Sequence, residues 1–281
     1  MTEKRGLSGS TLKIIAIISM LTDHTAAVLV GQKLVSLGIY SVGNISPAYL
    51  SELFTQSGFE TGFWYVAYQL MRRVIGRIAF PIFCFLLVEG FGRTKSRGKY
   101  LGRLFLFALL SEVPFDLAFH GASRYSAGQN VFVTLFLGLL MLCLFAKLEE
   151  MFSDEKYAAD DVDEEDEKIQ RNPHAFTAGN WLVFLGEIAC LGLFAIISEW
   201  ICCDYGAWGI LAIAALYKCR EFKSLQILAG SMCFLWEMPA ILGFIPIAFY
   251  NGKRGLKLKY IFYAFYPVHL LVLYALARML W

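Results

Sequence analysis

Long apolar runs dominate the chain and are broken at intervals by short clusters of charge. A membrane-spanning helix needs about 20 mostly apolar residues. The runs Leu12–Val30, Val74–Phe91, Leu101–Phe119, Gln129–Lys147, Trp181–Ser198 and Tyr260–Trp281 approach or reach that length. Three shorter runs, Tyr205–Tyr217, Ser224–Glu237 and Pro239–Tyr250, bring the expected set to about nine spans, within bounds of about eight to ten. The last two also read as a re-entrant pair or one element broken around Glu237-Met238-Pro239, because irregular backbone is tolerated at membrane depth where protein buries it. Phe63–Gln69 reads as an extension of the second span or as an interfacial segment. The pattern predicts an all-α, polytopic integral membrane protein with one transmembrane domain over residues 1–281.

Composition agrees. The 281 residues are 58% hydrophobic and 17% charged, whereas soluble domains carry about 25% charged residues. Lys4, Arg5 and Lys13 ahead of the first run imitate a signal peptide, but no small-residue cleavage site follows and Asp23-His24 interrupts the run, so a retained helix is expected. Basic clusters set orientation. They are the N-terminal Lys4, Arg5 and Lys13; Arg93, Lys95, Arg97, Lys99 and Arg103; Lys218, Arg220 and Lys223; and Lys253, Arg254, Lys257 and Lys259. With nine spans all four clusters share one side, the cytoplasm, and the N-terminus is cytoplasmic. The acidic run Asp160–Glu167, in the cytoplasmic loop 149–172, is expected to be a solvated linker. Gly31–Gln69 is expected to be a mostly neutral outer loop. The net charge of +2 carries no nucleic-acid signature, and the lipid bilayer is the partner that composition implies. The seven cysteines lack metal-ligand spacing and read as packing residues, so no metal is expected.

Interruptions of the apolar runs carry the candidate chemistry, since ionisable groups in spanning helices are costly and face a cavity or a partner. Asp23, His24, Arg73, Arg77, Glu112, Asp116, Gln129, Asn130, Glu199, Asp204 and Glu237 all fall in the outer half, and His269 lies near mid-depth. One outward-opening polar pocket accounts for that bias. Glu112 and Asp116 share a helical face, and Arg77 is the expected partner for the two carboxylates. Histidine exchanges protons most readily near neutral pH. Adjacent residues on a helix diverge, so Asp23 is not expected to orient His24 directly. Lys13, eleven positions before His24, occupies the same face about 16 Å away. His120 and His174 have no evident partners in the sequence.

Several blocks together resemble TraX-type proteins. These are Leu12–His24 with its Lys13-Ile14-Ile15 opening and Thr22-Asp23-His24 end, Gly76–Phe91 with its Gly76-Arg77-Ile78-Ala79-Phe80-Pro81 opening, Lys99-Tyr100 and Arg103-Leu104. Ser111-Glu112-Val113-Pro114-Phe115-Asp116, Gln129-Asn130-Val131-Phe132, Asp204-Tyr205-Gly206 and Tyr266-Pro267-Val268-His269-Leu270 complete the set. TraX proteins are known as acetyltransferases acting on the N-terminus of conjugative pilin, and they look like relatives of the acyltransferase-3 membrane proteins. In that class an arginine, ten intervening residues and a histidine mark the first helix. Here Lys13 takes the arginine's place, keeping the charge and losing the planar fork.

The resemblance implies a bacterial membrane acetyltransferase using acyl-CoA, with acetyl-CoA the expected donor. His24 would be the catalytic base beside Asp23, and Lys13, Arg93, Lys99 and Arg103 would meet the donor. Arg77, Glu112, Asp116, Gln129, Asn130, Asp204, Glu237 and His269 would form the acceptor pocket, with Arg77 or Asn130 as oxyanion donor. The acceptor could be a pilin N-terminus, an envelope glycan or a small molecule. Two other readings fit the same residues: a proton-coupled transporter, and a non-enzymatic assembly protein. Acetyl-CoA turnover in detergent, against pH-dependent solute uptake in liposomes, separates the first two. An assembly protein would tolerate charge-neutral changes across the outer cluster.

Overall fold

In the computed structural model of the protein the described residues are 6–43, 46–121, 128–152, 178–256 and 259–281, excepting the side chains of 178–180 and 259–260. They form ten helices: α1 (Gly9–Ser36), α2 (Pro47–Gln56), α3 (Gly58–Arg93), α4 (Arg97–His120), α5 (Val131–Phe152), α6 (Ala178–Trp200), α7 (Gly206–Lys218), α8 (Lys223–Cys233), α9 (Leu235–Ala248) and α10 (Lys259–Leu280). No strand occurs among these residues beyond two isolated bridges, Leu7 to Tyr250 and Gln129 to Cys203. The expected apolar runs are mostly helical, but Ser224–Glu237 is split between the end of α8 and the start of α9. Five helices, α1, α3, α5, α6 and α10, are long and apolar enough to cross a membrane. The acidic run, His174 and Lys257 lie outside the described residues.

Local chemistry explains where helices start and break. Ser8, Ser46 and Ser96 each accept a hydrogen bond from a backbone N–H in the first turn, capping α1, α2 and α4, and Pro47 opens α2. α9 is the broken element foreseen around Glu237. Its first part, Leu235–Gly243, is a 3-10 helix in which Glu237 has φ −131° and ψ 66°, and a single α-helical turn follows.

The expected outer loop is corrected. α1 continues to Ser36, α2 occupies Pro47–Gln56, and α3 runs unbroken from Gly58, so Phe63–Gln69 belongs to α3. Arg72-Arg73 ends the apolar run but not the helix, because arginine is a strong helix former. Both long helices are locally rewound near those polar residues. α1 has a π-helical turn at Ala26–Val30. α3 has one at Met71–Ile75, followed by a 3-10 turn at Gly76–Ile78.

α1 packs on α3 and α10, α10 on α4, α4 on α5, and α5 on α6 and α7. The core between them is aromatic and aliphatic, with Phe80, Ile82, Phe85, Met141, Leu142, Phe145, Ile210 and Phe234 fully enclosed. α5 and α7 approach closely because Gly138 leaves room for Ile213 and Gly209 for Thr134 and Phe80. Outside the bundle Ile18, Leu109, Ile196, Leu228, Ile245 and Val268 are exposed, an apolar surface suited to lipid.

Candidate functional site

α1 rises from Gly9 to His24 and links two polar regions, a basic end around Lys13 and a deep cluster around His24. A cavity of about 560 Å³ starts at the basic end. Lys13, Arg93, Lys95, Arg103 and Arg254 line it there, and Phe83, Leu87, Leu104, Leu135 and Phe132 line its apolar interior. Met20 and Tyr266 also line it. Met20 is one helical turn before His24, and the Tyr266 ring stands edge-on to His24 at 5.8 Å. The N-terminal segment builds part of the wall. The Leu7 N–H donates to the Phe249 carbonyl at 2.8 Å, and the Asn251 N–H donates to the Leu7 carbonyl at 2.9 Å.

Three of the four residues expected at the donor therefore line one cavity. Lys13 stands 5.2 Å over the Phe262 ring. Arg93 is held by Glu89 at 2.6 Å and by the Gly252 carbonyl at 2.5 Å. Lys99 is exposed and outside this lining, in the first turn of α4 with its backbone N–H on Ser96. Lys95 and Arg254 line the mouth instead.

At the deep cluster, His24 Nδ1 lies 2.7 Å from His269 Nε2, with the rings nearly parallel at 7°. Both residues are buried. His24 Nε2 lies 3.9 Å from Asp23 Oδ2, and Asp23 pairs with Arg72 at 3.3 Å. Asp23 and His24 therefore come closer than adjacent helical positions were expected to, while the hydrogen bond that holds His24 comes from α10. Ser19 donates to the Ile75 carbonyl at 2.6 Å, which ties α1 to the rewound part of α3. A Cβ on Gly76 would strike Asp23, so the approach of the two helices depends on that glycine.

The expected pairing of Arg77 with Glu112 and Asp116 is corrected. Arg77 pairs with Glu237 at 2.9 Å, because the break in α9 presents Glu237 to α3. Glu112 accepts from the Asn130 side chain. Asn130, fully buried, also donates to the Ala108 carbonyl at 2.9 Å and accepts the Phe132 N–H at 3.0 Å, capping α5. Asp116 lies 3.6 Å from His120, which supplies the partner that was not evident in the sequence.

Gln129 acts through its backbone. Its N–H donates to Cys202 at 2.9 Å, and its carbonyl accepts from Asp204 at 3.2 Å. Thr134 donates to the Asp204 carbonyl. That clasp holds Tyr205 in the left-handed region at φ 65°, with its ring stacked on Phe80 at 3.6 Å. Glu199 caps α7 at the Ala207 N–H, 2.7 Å.

Arg72, Tyr205 and Tyr266 were not foreseen as site residues in their own right. The two tyrosines lay inside quoted blocks, but a tyrosine in an apolar run signals packing as readily as chemistry. Among the described residues no group of three or more His, Cys, Asp or Glu side chains could hold a metal ion.

A family model described as TraX protein matches residues 8–158 and 182–277. The chain belongs to the TraX family. The match takes in every residue of the deep cluster and of the cavity lining, and it leaves out the whole acidic run. Across 303 aligned residues the chain is 27% identical to the probable fimbrial assembly protein FimC, serogroup H1, of Dichelobacter nodosus, covering 97% of each chain. No solved structure matches this TraX-family chain.

Proposed function

We propose that this protein is a membrane-embedded acetyltransferase related to the acyltransferase-3 proteins. It crosses the bilayer about nine times with its N-terminus in the cytoplasm. It takes an acetyl group from cytosolic acetyl-CoA and delivers it to an amine or hydroxyl acceptor on the far side. The observation that carries this reading is the cavity that begins among Lys13, Arg93, Lys95, Arg103 and Arg254 and reaches Met20 and Tyr266 beside His24. A basic mouth suits the phosphates of CoA. The apolar interior suits a slender pantetheine arm, and the end beside His24 suits the thioester.

His24 takes the acceptor's proton as the acceptor attacks the thioester carbonyl. The carbon–sulfur bond then breaks, and the proton passes to the leaving thiolate. Arg77 or Asn130 serves as donor for the transient oxyanion, and Glu112, Asp116 and Asp204 suit a neutral amine or hydroxyl acceptor that they can hydrogen-bond. The fimbrial assembly name of the Dichelobacter nodosus protein supports a pilus or fimbrial subunit as acceptor, ahead of a glycan or a small molecule.

The test is reconstitution in nanodiscs with labelled acetyl-CoA, read as binding and as acetyl release to water or to added acceptor. His24→Ala is expected to keep binding and to lose transfer by about 10²-fold or more. Transfer retained by His24→Ala overturns the base. Absence of acetyl-CoA binding, together with pH-dependent solute uptake in liposomes, supports the transporter reading instead.

A further inference from the structure

We infer that His269 is the positioning partner of His24: it holds His24 in the Nδ1–H tautomer and so places the lone pair on Nε2, the nitrogen on the Asp23 side. The proposal rests on the acetyl-transfer reading for its catalytic consequence, but not for the tautomer itself. His269 Nδ1 lies 2.8 Å from the Phe265 carbonyl one turn earlier on α10. A carbonyl only accepts, so the proton sits on His269 Nδ1. A neutral imidazole has one N–H, which makes His269 Nε2 an acceptor. That nitrogen faces His24 Nδ1 at 2.7 Å, so the proton in this contact belongs to His24. Neutral His24 then carries its lone pair on Nε2, 3.9 Å from Asp23 Oδ2.

Packing holds both rings in this register. Phe265 stacks on His269 at 4.7 Å, and Phe119 meets His24 edge-on at 5.2 Å. Free histidine favours the opposite Nε2–H form, so His269 reverses the intrinsic preference. During transfer the acceptor's proton binds His24 Nε2, and the His24 Nδ1–H stays on His269. The same Nε2 proton later goes to the CoA thiolate, so no proton leaves His269 and the balance closes.

Two arms test this. Protein with ¹⁵N-labelled histidine in nanodiscs, with His24 assigned by its loss in His24→Gln, is expected to show a protonated Nδ1 and a bare Nε2. In His269→Leu the two signals are expected to exchange. A wild-type Nε2–H signal, or shifts unmoved in His269→Leu, overturns the proposal whether or not acetyl-CoA is the donor.

In the second arm, His269→Leu is expected to lower kcat for acetyl transfer by about 10²-fold, with KM for acetyl-CoA unchanged. His269→Gln, whose side-chain carbonyl accepts from His24 Nδ1–H, is expected to recover about tenfold of that loss. Equal loss in the Leu and Gln variants makes His269 merely structural and overturns the positioning role. Wild-type protein without any acetyl transfer sinks the acetyltransferase reading, and the NMR result still decides the tautomer.

Discussion

Arg77 and Glu237 meet at 2.9 Å with 22% and 18% of their side chains exposed. Water screens such a pair only in part, so losing one partner costs less than in a dry interior and more than at a surface. Arg77→Ala is expected to destabilise the protein by about 2 kcal/mol in detergent, and Arg77→Ala with Glu237→Ala by less than Arg77→Ala alone, read by thermal unfolding. Asn130→Ala is expected to cost about 2 kcal/mol, because it strands Glu112 and the Ala108 carbonyl. These polar residues were legible in the sequence because each interrupts an apolar run. Their partners were not. Arg72 was passed over for its neighbours, since one step on a helix turns a side chain by about 100°, and the π turn at Met71–Ile75 shifts the phase again.

At the scale of elements, the rewound stretches of α1 and α3 lie beside the deep cluster, where such turns often mark functional sites. Gly76 lies at their contact. Gly76→Val is expected to push α1 from α3, lowering acetyl transfer by about tenfold or more with a smaller effect on the unfolding temperature. Transfer at the wild-type rate would show that the close approach of Asp23 has no bearing on the chemistry. Helix positions were largely readable because apolar length fixes them. The extension of α3 beyond Arg72-Arg73 was not, since hydropathy marks where a run ends rather than where a helix ends. The α9 break was readable from Glu237-Met238-Pro239, but its pairing with Arg77 depends on tertiary packing alone.

Across the whole molecule, charge is divided between a basic mouth near the start of α1 and a mixed cluster near its middle. Arg103→Glu is expected to raise KM for acetyl-CoA by about tenfold at low salt, with the gap narrowing as salt screens the mouth. An unchanged KM would remove Arg103 from the donor path. Topology has a separate check. Cys202 is exposed in the α6–α7 turn, on the side of the deep cluster. A variant keeping Cys202 as its single cysteine is expected to react with an impermeant maleimide added to intact cells, and protection until lysis would reverse the orientation.

His24 and His269 touch although 245 positions separate them in the chain. A chain that lacks α10 therefore cannot form the pair. On the proposed reading, the reactive pair forms only once α10 has docked against α1. Two co-expressed pieces, one carrying α1 and the other α10, are expected to restore the pair only where those two helices dock.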